Sequence, residues 1–363
     1  MPLVTQRCVA ILYQALPPPV IDGLRKDAKP GGYSDGGADI AVALRGRGVA
    51  VATPVAAPDP AVALDWVFPD TAAGIAAAIA AGADTIWANT VLFAGHPLEW
   101  VRAPVGIVGQ EPAAMQRFDD KFATNRMLSD AGLPVAGSFL LSGSARPGVV
   151  ALDGVAGAIV TRGMAFPLIV KPVRGRGSQG VTLVVDLPGL VAAAGALLAA
   201  ATFGDMLMVE AYLPGEEMTI TVLPAEAPQP DGRVAGGQHA LRPVLRFDQR
   251  GGVAPYNGDV PVSANSAAIA AARMDEPAVV AMVAACEAAA AMVGSRSAIR
   301  IDCRADAGGN FHLFDLNMKP NMTGPGRPGR DDQDCLSAIA ARADGWEYAD
   351  LLLAMLAARW VAG

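Results

Sequence analysis

The sequence predicts an α/β protein that turns α+β in its later part, and three features predict it. Hydrophobic residues make up 52% of the chain and charged residues 17%, enough apolar material for packed cores and too little charge for a disordered polypeptide. Over the first third, short apolar runs alternate with alanine-rich helical stretches, the pattern of a parallel sheet covered on both faces. Beyond it, apolar strands flank a glycine-rich loop and, near the end, a glycine pair that reads as a hairpin turn. At 363 residues the chain exceeds what one hydrophobic core organises. Three units are expected: residues 1–115 with the parallel sheet, 116–205 with the glycine-rich loop, and 206–363 with the hairpin.

In order, Val9–Tyr13 and Val49–Thr53 read as strands with a helix over Ala38–Arg45 between them. Thr71–Ala81 reads as a helix capped by Thr71 or Asp70, followed by strands at Thr85–Ala88 and Val105–Val108. Glu111–Gly132 reads as one long amphipathic helix stopped by Gly132 and Pro134. Strands follow at Leu168–Lys171 and Val181–Val185, then a helix over Leu187–Ala201 and a strand at Leu207–Glu210. The last part holds strands near Met218–Leu223, His239–Phe247, Ala298–Arg304 and Phe311–Asn317, with helices near Glu276–Val293 and Trp346–Ala358. Pro224–Gly237, rich in Pro, Gly and Ala, reads as an excursion.

A net charge of −7 gives no long-range attraction to nucleic acid or an anionic membrane, so neither partner is expected. A polyanionic ligand would need a local cluster of cations. The four cysteines, Cys8, Cys286, Cys303 and Cys335, form no CxxC pair, which points to buried thiols in a reduced compartment. The apolar start, closed by three prolines, reads as a first strand and not as a signal peptide. The run Val191–Ala201 is too short to span a bilayer, and a cytoplasmic location is expected. His96, His239 and His312 lack metal-ligand spacing and read as structural.

The segment PLIVKPVRGRGSQGVTLVV sets Gly175, Gly177, Ser178 and Gly180 between two apolar strands. Glycines let backbone N–H groups converge on an anion, and Ser178 adds a hydroxyl. Read alone, the loop is equally a hairpin turn with solvent-facing arginines. Lys171 shifts the balance, because an ammonium closing an apolar strand is costly without a partner. The chain holds five lysines against 23 arginines, so lysine is used sparingly here. An ammonium aimed from the strand end toward the loop suits a phosphate.

Near the end, AIRIDCRADAGGNFHLFDLN alternates Ile299, Ile301 and Cys303 with Arg300, Asp302 and Arg304. If Gly308-Gly309 is a two-residue turn, Asp302 lies opposite Asp315 and Arg300 opposite Asn317, with Leu313 on the face of Asp315 and Asn317. Facing carboxylates weaken a sheet, and a divalent cation reverses that penalty. Oxygen ligands from Asp302, Asp315 and Asn317 suit Mg²⁺. The competing reading is a solvated face neutralised by Arg300 or Arg304.

Lys171-Pro172, the Gly/Ser loop, VEAYLPGEE, RID and FDLN, in this order, resemble the ATP-grasp fold. Among its members the sequence is most similar to the D-alanine–D-alanine ligases, over about residues 118–356, with a weaker echo in the N-terminal unit. The resemblance implies ATP held between the central and C-terminal units, with Mg²⁺ and a homodimer. It implies that Lys121, Lys171, Gly177 and Ser178 contact phosphates, that Glu210 with Ala211 and Leu213 holds adenine, and that Glu217 holds the ribose. It makes Asp302, Asp315 and Asn317 the metal ligands and Arg300 the group that steadies an acyl phosphate and its tetrahedral successor. Lys171, Ser178 and Arg300 are thereby the catalytic candidates.

The implied function is an ATP-dependent carboxylate–amine ligase, acting on a small-molecule acid and amine. Several positions depart from the family pattern. Asp315 stands where Glu is usual, and Lys319 precedes Pro320-Asn321-Met322 where a Pro-Gly-Met turn is usual. The residues that hold the first D-alanine fall near Gly31, at Gly177 and around Tyr256. The expected acid is therefore amino-acid-like but not D-alanine, with Lys319, Asn321, Arg327 and Tyr256 as candidate substrate contacts. A D-alanine–D-alanine ligase proper, a kinase of this fold and a non-catalytic ATP-binding protein remain as alternatives. The KPGGYSDGG stretch, residues 29–37, opens a helix that either receives an anion at its N-terminus or is simply capped.

Overall fold

A computed structural model describes residues 7–361 except 22, 27–28, 102–103, 176–177, 230, 250 and 254–259. Three main sheets organise the chain. In the first, Gly106–Val108, Thr85–Asn89 and Cys8–Tyr13 lie side by side in parallel, and Ala50–Val51 and Val67–Pro69 both pair in parallel with Cys8–Tyr13. Cys8–Tyr13 is the buried centre, which is why it reads as an unbroken apolar run. The first long helix, α1 (Ser34–Gly46), covers this sheet through Ala38, Ile40, Ala41 and Leu44. The chain end returns to it, with Trp360–Val361 pairing antiparallel to Gly106–Val108.

The second sheet runs in the order Thr182–Val184, Leu168–Pro172, Met206–Ala211, Ser138–Ser142, Val150–Ala151. The third runs Ser266–Ala268, Val244–Arg246, Glu217–Leu223, Ile299–Ala305, Phe311–Asn317, antiparallel throughout. Because Met206–Ala211 pairs on both sides within the second sheet, the change of sheet falls between Ala211 and Glu217 and not at residue 205. The helix Pro277–Met292 packs on the third sheet, burying Val279, Met282, Cys286 and Ala289. No helix among the described residues is long and apolar enough to cross a membrane.

Local chemistry explains where elements begin and break. Thr71 caps the helix Ala72–Ala80 by accepting from the Gly74 N–H at 3.1 Å. Asp70, the other candidate cap, is fully buried and accepts from the Ala15 and Leu16 N–H groups instead. The single helix expected over Glu111–Gly132 is two, Pro112–Phe118 and Lys121–Asp130. The break lies at Asp119-Asp120, where the Asp120 carboxylate accepts from the Ala123 N–H at 2.8 Å and starts the second helix. Lys121 becomes its first residue, and its N–H donates to the Val173 carbonyl at 3.2 Å. The expected strand His239–Phe247 is likewise split into His239–Ala240 and Val244–Arg246, because Pro243 offers the ladder no N–H. The strand Ser138–Ser142 and the helices Val155–Thr161 and Leu336–Ala343 have no counterpart in the sequence reading.

Candidate active site

A cleft of about 1130 Å³ opens where the second and third sheets meet, with the start of α1 and its preceding loop as a further wall. Among the described residues, ten lysines and arginines line it against eight aspartates and glutamates, a cationic excess in a chain of net charge −7. All five lysines of the sequence, Lys26, Lys29, Lys121, Lys171 and Lys319, are among them.

The hairpin places Asp302 opposite Asp315 and Arg300 opposite Asn317, but not through the expected two-residue turn. Ala305 pairs with Phe311, and the Asp306 N–H donates to the Asn310 carbonyl at 2.8 Å, leaving residues 307–309 to cross the turn. That longer turn would slip the ladder by one residue and point Asp315 into the core. A β-bulge between Asp302 and Cys303 restores the pairing, with Phe314 as the extra residue. Leu313 therefore does not share a face with Asp315 and Asn317: Phe311, Leu313 and Leu316 are buried, while Asp315 and Asn317 line the cleft. The bulged Phe314 carbonyl accepts from Lys171 Nζ at 3.3 Å and Asn125 Nδ2 at 3.4 Å.

Ion pairs hold Lys121 and Lys171 in place. Lys121 Nζ donates to Asp315 Oδ1 at 2.5 Å, and Lys171 Nζ to Glu210 Oε2 at 2.7 Å. Burial opposes the Lys121 charge, but Asp315, Asp119 and Asp302 outweigh it and raise its pKa. Burial would also raise the Asp315 carboxyl, and Lys121, Lys171 and Arg300 reverse this and lower it. For Glu210 burial wins over Lys171, so its carboxyl titrates above the ordinary range. Glu210 sits inside its strand, with Asn125 Nδ2 at 3.4 Å from Oε1.

The donor set fits a magnesium–nucleotide complex. Among the described residues no three His, Cys, Asp or Glu lie close enough together to hold a metal. An ion here would take two carboxylates, the Asn317 amide and oxygens from outside the protein, the habit of Mg²⁺. Thr219 Oγ1 donates to Asp302 Oδ1 at 2.7 Å and Lys121 occupies Asp315 Oδ1. The Oδ2 atoms have no protein hydrogen bond among the described residues. Asn317 Oδ1 accepts from the Lys319 N–H at 2.9 Å. Arg300 Nε lies 3.5 Å from Asp302 Oδ1, buried and without a hydrogen-bond partner among the described residues, as suits a group meant for an oxyanion.

Glu217 opens its strand opposite both Arg246 and Arg304 and accepts from Gln249 Nε2 at 2.7 Å. Burial first, and then Asp302, push its carboxyl up to about 7 against the pull of Arg246, Arg304 and Arg300. Ala211 and Leu213 line the cleft beyond Glu210, and the Ala211 N–H is committed to the Gly137 carbonyl at 2.9 Å. Ser178 lines the cleft in a left-handed conformation, φ 61°. Lys319 and Asn321 line it too. Gly177 and Tyr256 lie outside the described residues.

Arg327 is a correction. It is 2% exposed and holds Asp39 Oδ1 at 3.1 Å, the Asp35 carbonyl at 3.0 Å and the Pro60 carbonyl at 2.9 Å. These bonds consume it in bracing α1, so it does not face a substrate. Arg330 of the same loop reaches the cleft, yet is also bound to Asp39, through Nε at 2.9 Å and a terminal nitrogen at 2.8 Å. Sequence reasoning passed over Asn125, Thr219 and Arg246. Arg246 carried a usable signal, a charge inside the apolar strand Val244–Arg246, the same signal that marks Lys171. Asn125 carried none, since a helix of ordinary polarity hides which side chain turns inward.

The family model for the D-Ala D-Ala ligase C-terminus matches residues 127–357. The chain is 30% identical over 237 residues to a D-alanine–D-alanine ligase of Stutzerimonas stutzeri, covering 65% of this chain and 64% of that protein. It is 29% identical over 238 residues to the ligase of the same name from Ectopseudomonas mendocina, covering 66% and 64%. The match thus spans just under two thirds of these relatives' length. In three dimensions it is similar to the Bacillus anthracis D-alanine–D-alanine ligase complexed with ATP, with a TM-score of 0.63 at 16% identity over 96% of each chain. It is also similar to the VanG D-Ala:D-Ser ligase of Enterococcus faecalis, with a TM-score of 0.60 at 14% identity over 97% and 99%.

Proposed function

The chain belongs to the D-Ala–D-Ala ligase C-terminal family, and on that premise we propose that it is an ATP-dependent carboxylate–amine ligase working through an acyl phosphate. The observation that carries the proposal is Asp302 directly across the ladder from Asp315 with Lys121, Lys171 and Arg300 around them. ATP and Mg²⁺, when bound, supply the phosphoryl group and the charge that neutralises it. Asp302, Asp315 and Asn317 would hold the metal ion, and Lys121, Lys171 and Ser178 would hold the phosphates. Glu217 with the Ala211–Leu213 backbone takes the nucleoside. Glu210 both faces the base and orients Lys171, which is why the two share a hydrogen bond in the interior. Arg300 Nε stabilises the oxyanion formed when the amine attacks the acyl phosphate. The cleft walls exclude water that would hydrolyse that intermediate.

We take the acid to be one other than D-alanine, because Gly31, Lys319 and Asn321 stand where different chemistry holds that amino acid in the resembling enzymes. The names of the relatives favour a second reading, a D-alanine–D-alanine ligase proper. Incubation with ATP, Mg²⁺, hydroxylamine and a panel of acids tests both. Trapped hydroxamate and ADP with an acid other than D-alanine are expected. ADP release with D-alanine alone would favour the second reading, and no ADP with any acid or amine would remove both.

A further inference from the structure

Arg246 is a buried cation to which the ligase chemistry above gives no task. It closes the strand Val244–Arg246, is 7% exposed and lines the cleft. Its Nε is buried without a hydrogen-bond partner, and its guanidinium makes no hydrogen bond or ion pair among the described residues. An interior arginine ordinarily spends its donors on carbonyls and carboxylates. Arg304, in the same row of the same sheet, does so, on the Gly215 and Gly252 carbonyls, Tyr212 and Gln249. Glu217 lies across the ladder from both arginines but is turned away from Arg246. It accepts from Gln249 and sits 3.7 Å from Arg304 Nη1. With its carboxyl pushed up to about 7, it is also only about half ionised at neutral pH. Burial depresses the Arg246 pKa, and the charges its guanidinium feels are those of Asp302, Arg300 and Glu217.

The register of the third sheet says which part of a ligand this cation meets. On one face of the sheet a row runs Arg246–Glu217–Arg304, and the next row runs Thr219–Asp302–Asp315. Successive rows are two residues, about 7 Å, apart. Under the proposed function the first row takes the ribose through Glu217 and the second takes the metal ion. Arg246 thus flanks the stretch between sugar and metal, which a nucleotide fills with its phosphate chain. We propose that Arg246 grips that phosphate chain, its guanidinium reaching the oxygens between the sugar at Glu217 and the metal ion at Asp302. The inference rests on the ligase reading for the seat of the nucleotide and adds to it a contact from the third sheet. The planar fork suits phosphate oxygens bidentately, which an ammonium does not. A bound phosphate also supplies the anion that this buried cation lacks.

The test is calorimetric titration of the whole protein with ADP and Mg²⁺, with adenosine, measured by displacement of ADP, as the ligand that has no phosphate. Arg246→Met keeps the apolar stem and removes the charge. It should weaken ADP binding at least about tenfold, the worth of one charge-assisted hydrogen bond, and change adenosine binding by no more than about twofold. Without nucleotide the same variant should melt at or above the wild-type temperature, because it removes a buried cation that has no bonds to lose. Unchanged ADP affinity, equal weakening of ADP and adenosine, or a variant that melts lower or does not fold would overturn the assignment and make Arg246 a structural residue. The hydroxylamine assay separates this claim from the ligase reading. Arg246-dependent ADP binding with no hydroxamate from any acid keeps the phosphate contact and removes the ligase. Hydroxamate formation together with ADP affinity that ignores Arg246→Met keeps the ligase and removes the contact. No ADP binding by the wild type would remove the contact and the nucleotide seat together.

Discussion

Replacing Lys171 by methionine separates its catalytic role from its structural one. Lys171 and Glu210 are 4% and 3% exposed and 2.7 Å apart. Removing one partner of a buried pair strands the other, at a cost of about 3–5 kcal/mol. With an unfolding entropy near 2.1 cal/mol/K per residue over 363 residues, this lowers the melting temperature by about 4–7 °C. The deficit depends on pH. Glu210 already titrates above the ordinary range, and losing Lys171 raises it further, so the folded variant holds a proton the unfolded chain gives up. The deficit is smallest below the unfolded carboxyl value and grows as pH rises toward the folded one. Lys171→Met should thus melt nearer wild type at about pH 5 than at about pH 8. Adding Glu210→Gln removes the stranded charge and should recover most of the loss at the higher pH, while ADP formation stays abolished in both variants. Differential scanning calorimetry and a coupled ADP assay measure the two effects. If the double variant is no more stable than the single one at the higher pH, Lys171 and Glu210 are not the coupled pair described here.

Glu217, with a carboxyl pushed up to about 7, holds a proton in the folded state that the unfolded state releases above about 4.5. Stability should therefore fall as pH rises between those values, by up to about 3 kcal/mol or about 4 °C in melting temperature. Glu217→Gln should flatten this slope, and an unchanged slope would exclude Glu217 as its source. Asp302→Asn keeps an acceptor for Thr219 and removes one of two facing charges, so the ligand-free protein should be unchanged or up to about 1 kcal/mol more stable. The same variant should lose ADP formation by about a hundredfold or more; full turnover would place the metal site elsewhere. Arg327→Ala should destabilise the protein and lower its melting temperature, at a cost of no more than about 3 kcal/mol because Arg330 still holds Asp39. A raised KM with unchanged melting would mean that Arg327 touches substrate after all.

The chemistry-bearing residues were the legible part of this sequence wherever a charge broke an apolar pattern. Lys171 closing the strand Leu168–Pro172 is such a case, and so is Asp302 between Ile301 and Cys303. The hairpin shows how a pairing can be right for an incomplete reason. Turn length and bulge offset one another, and neither is readable, because Phe314 looks like any apolar strand residue until its register is known. The helix break at Asp119-Asp120 was visible as capping chemistry but was outweighed by the apolar period on either side. Arg327 failed for a different reason. Its role depends on Asp39, nearly 300 residues earlier, and sequence order does not reveal that contact.

The cleft also answers a physical difficulty that its own composition raises. Five lysines gathered in one partly desolvated space would repel one another and pull water in. Asp315 and Glu210 neutralise the two innermost, Lys121 and Lys171, while Asp119 takes Lys26 at 2.6 Å. With a metal ion bound under the proposed function, Asp315 would exchange its ammonium partner for that ion, and Lys121 would be available to the phosphates. In that exchange neither Asp315 nor Lys121 would be left without a partner, so much of the cost of assembling the site would be met before the nucleotide arrives. Lysine suits such an exchange because its ammonium is a point charge on a flexible stem, whereas the arginine fork is held by geometry, as Arg304 is by the Gly215 and Gly252 carbonyls, Tyr212 and Gln249. That contrast fits a chain with 23 arginines that places all five of its lysines in this cleft, where an arginine such as Arg304 is held as a strut.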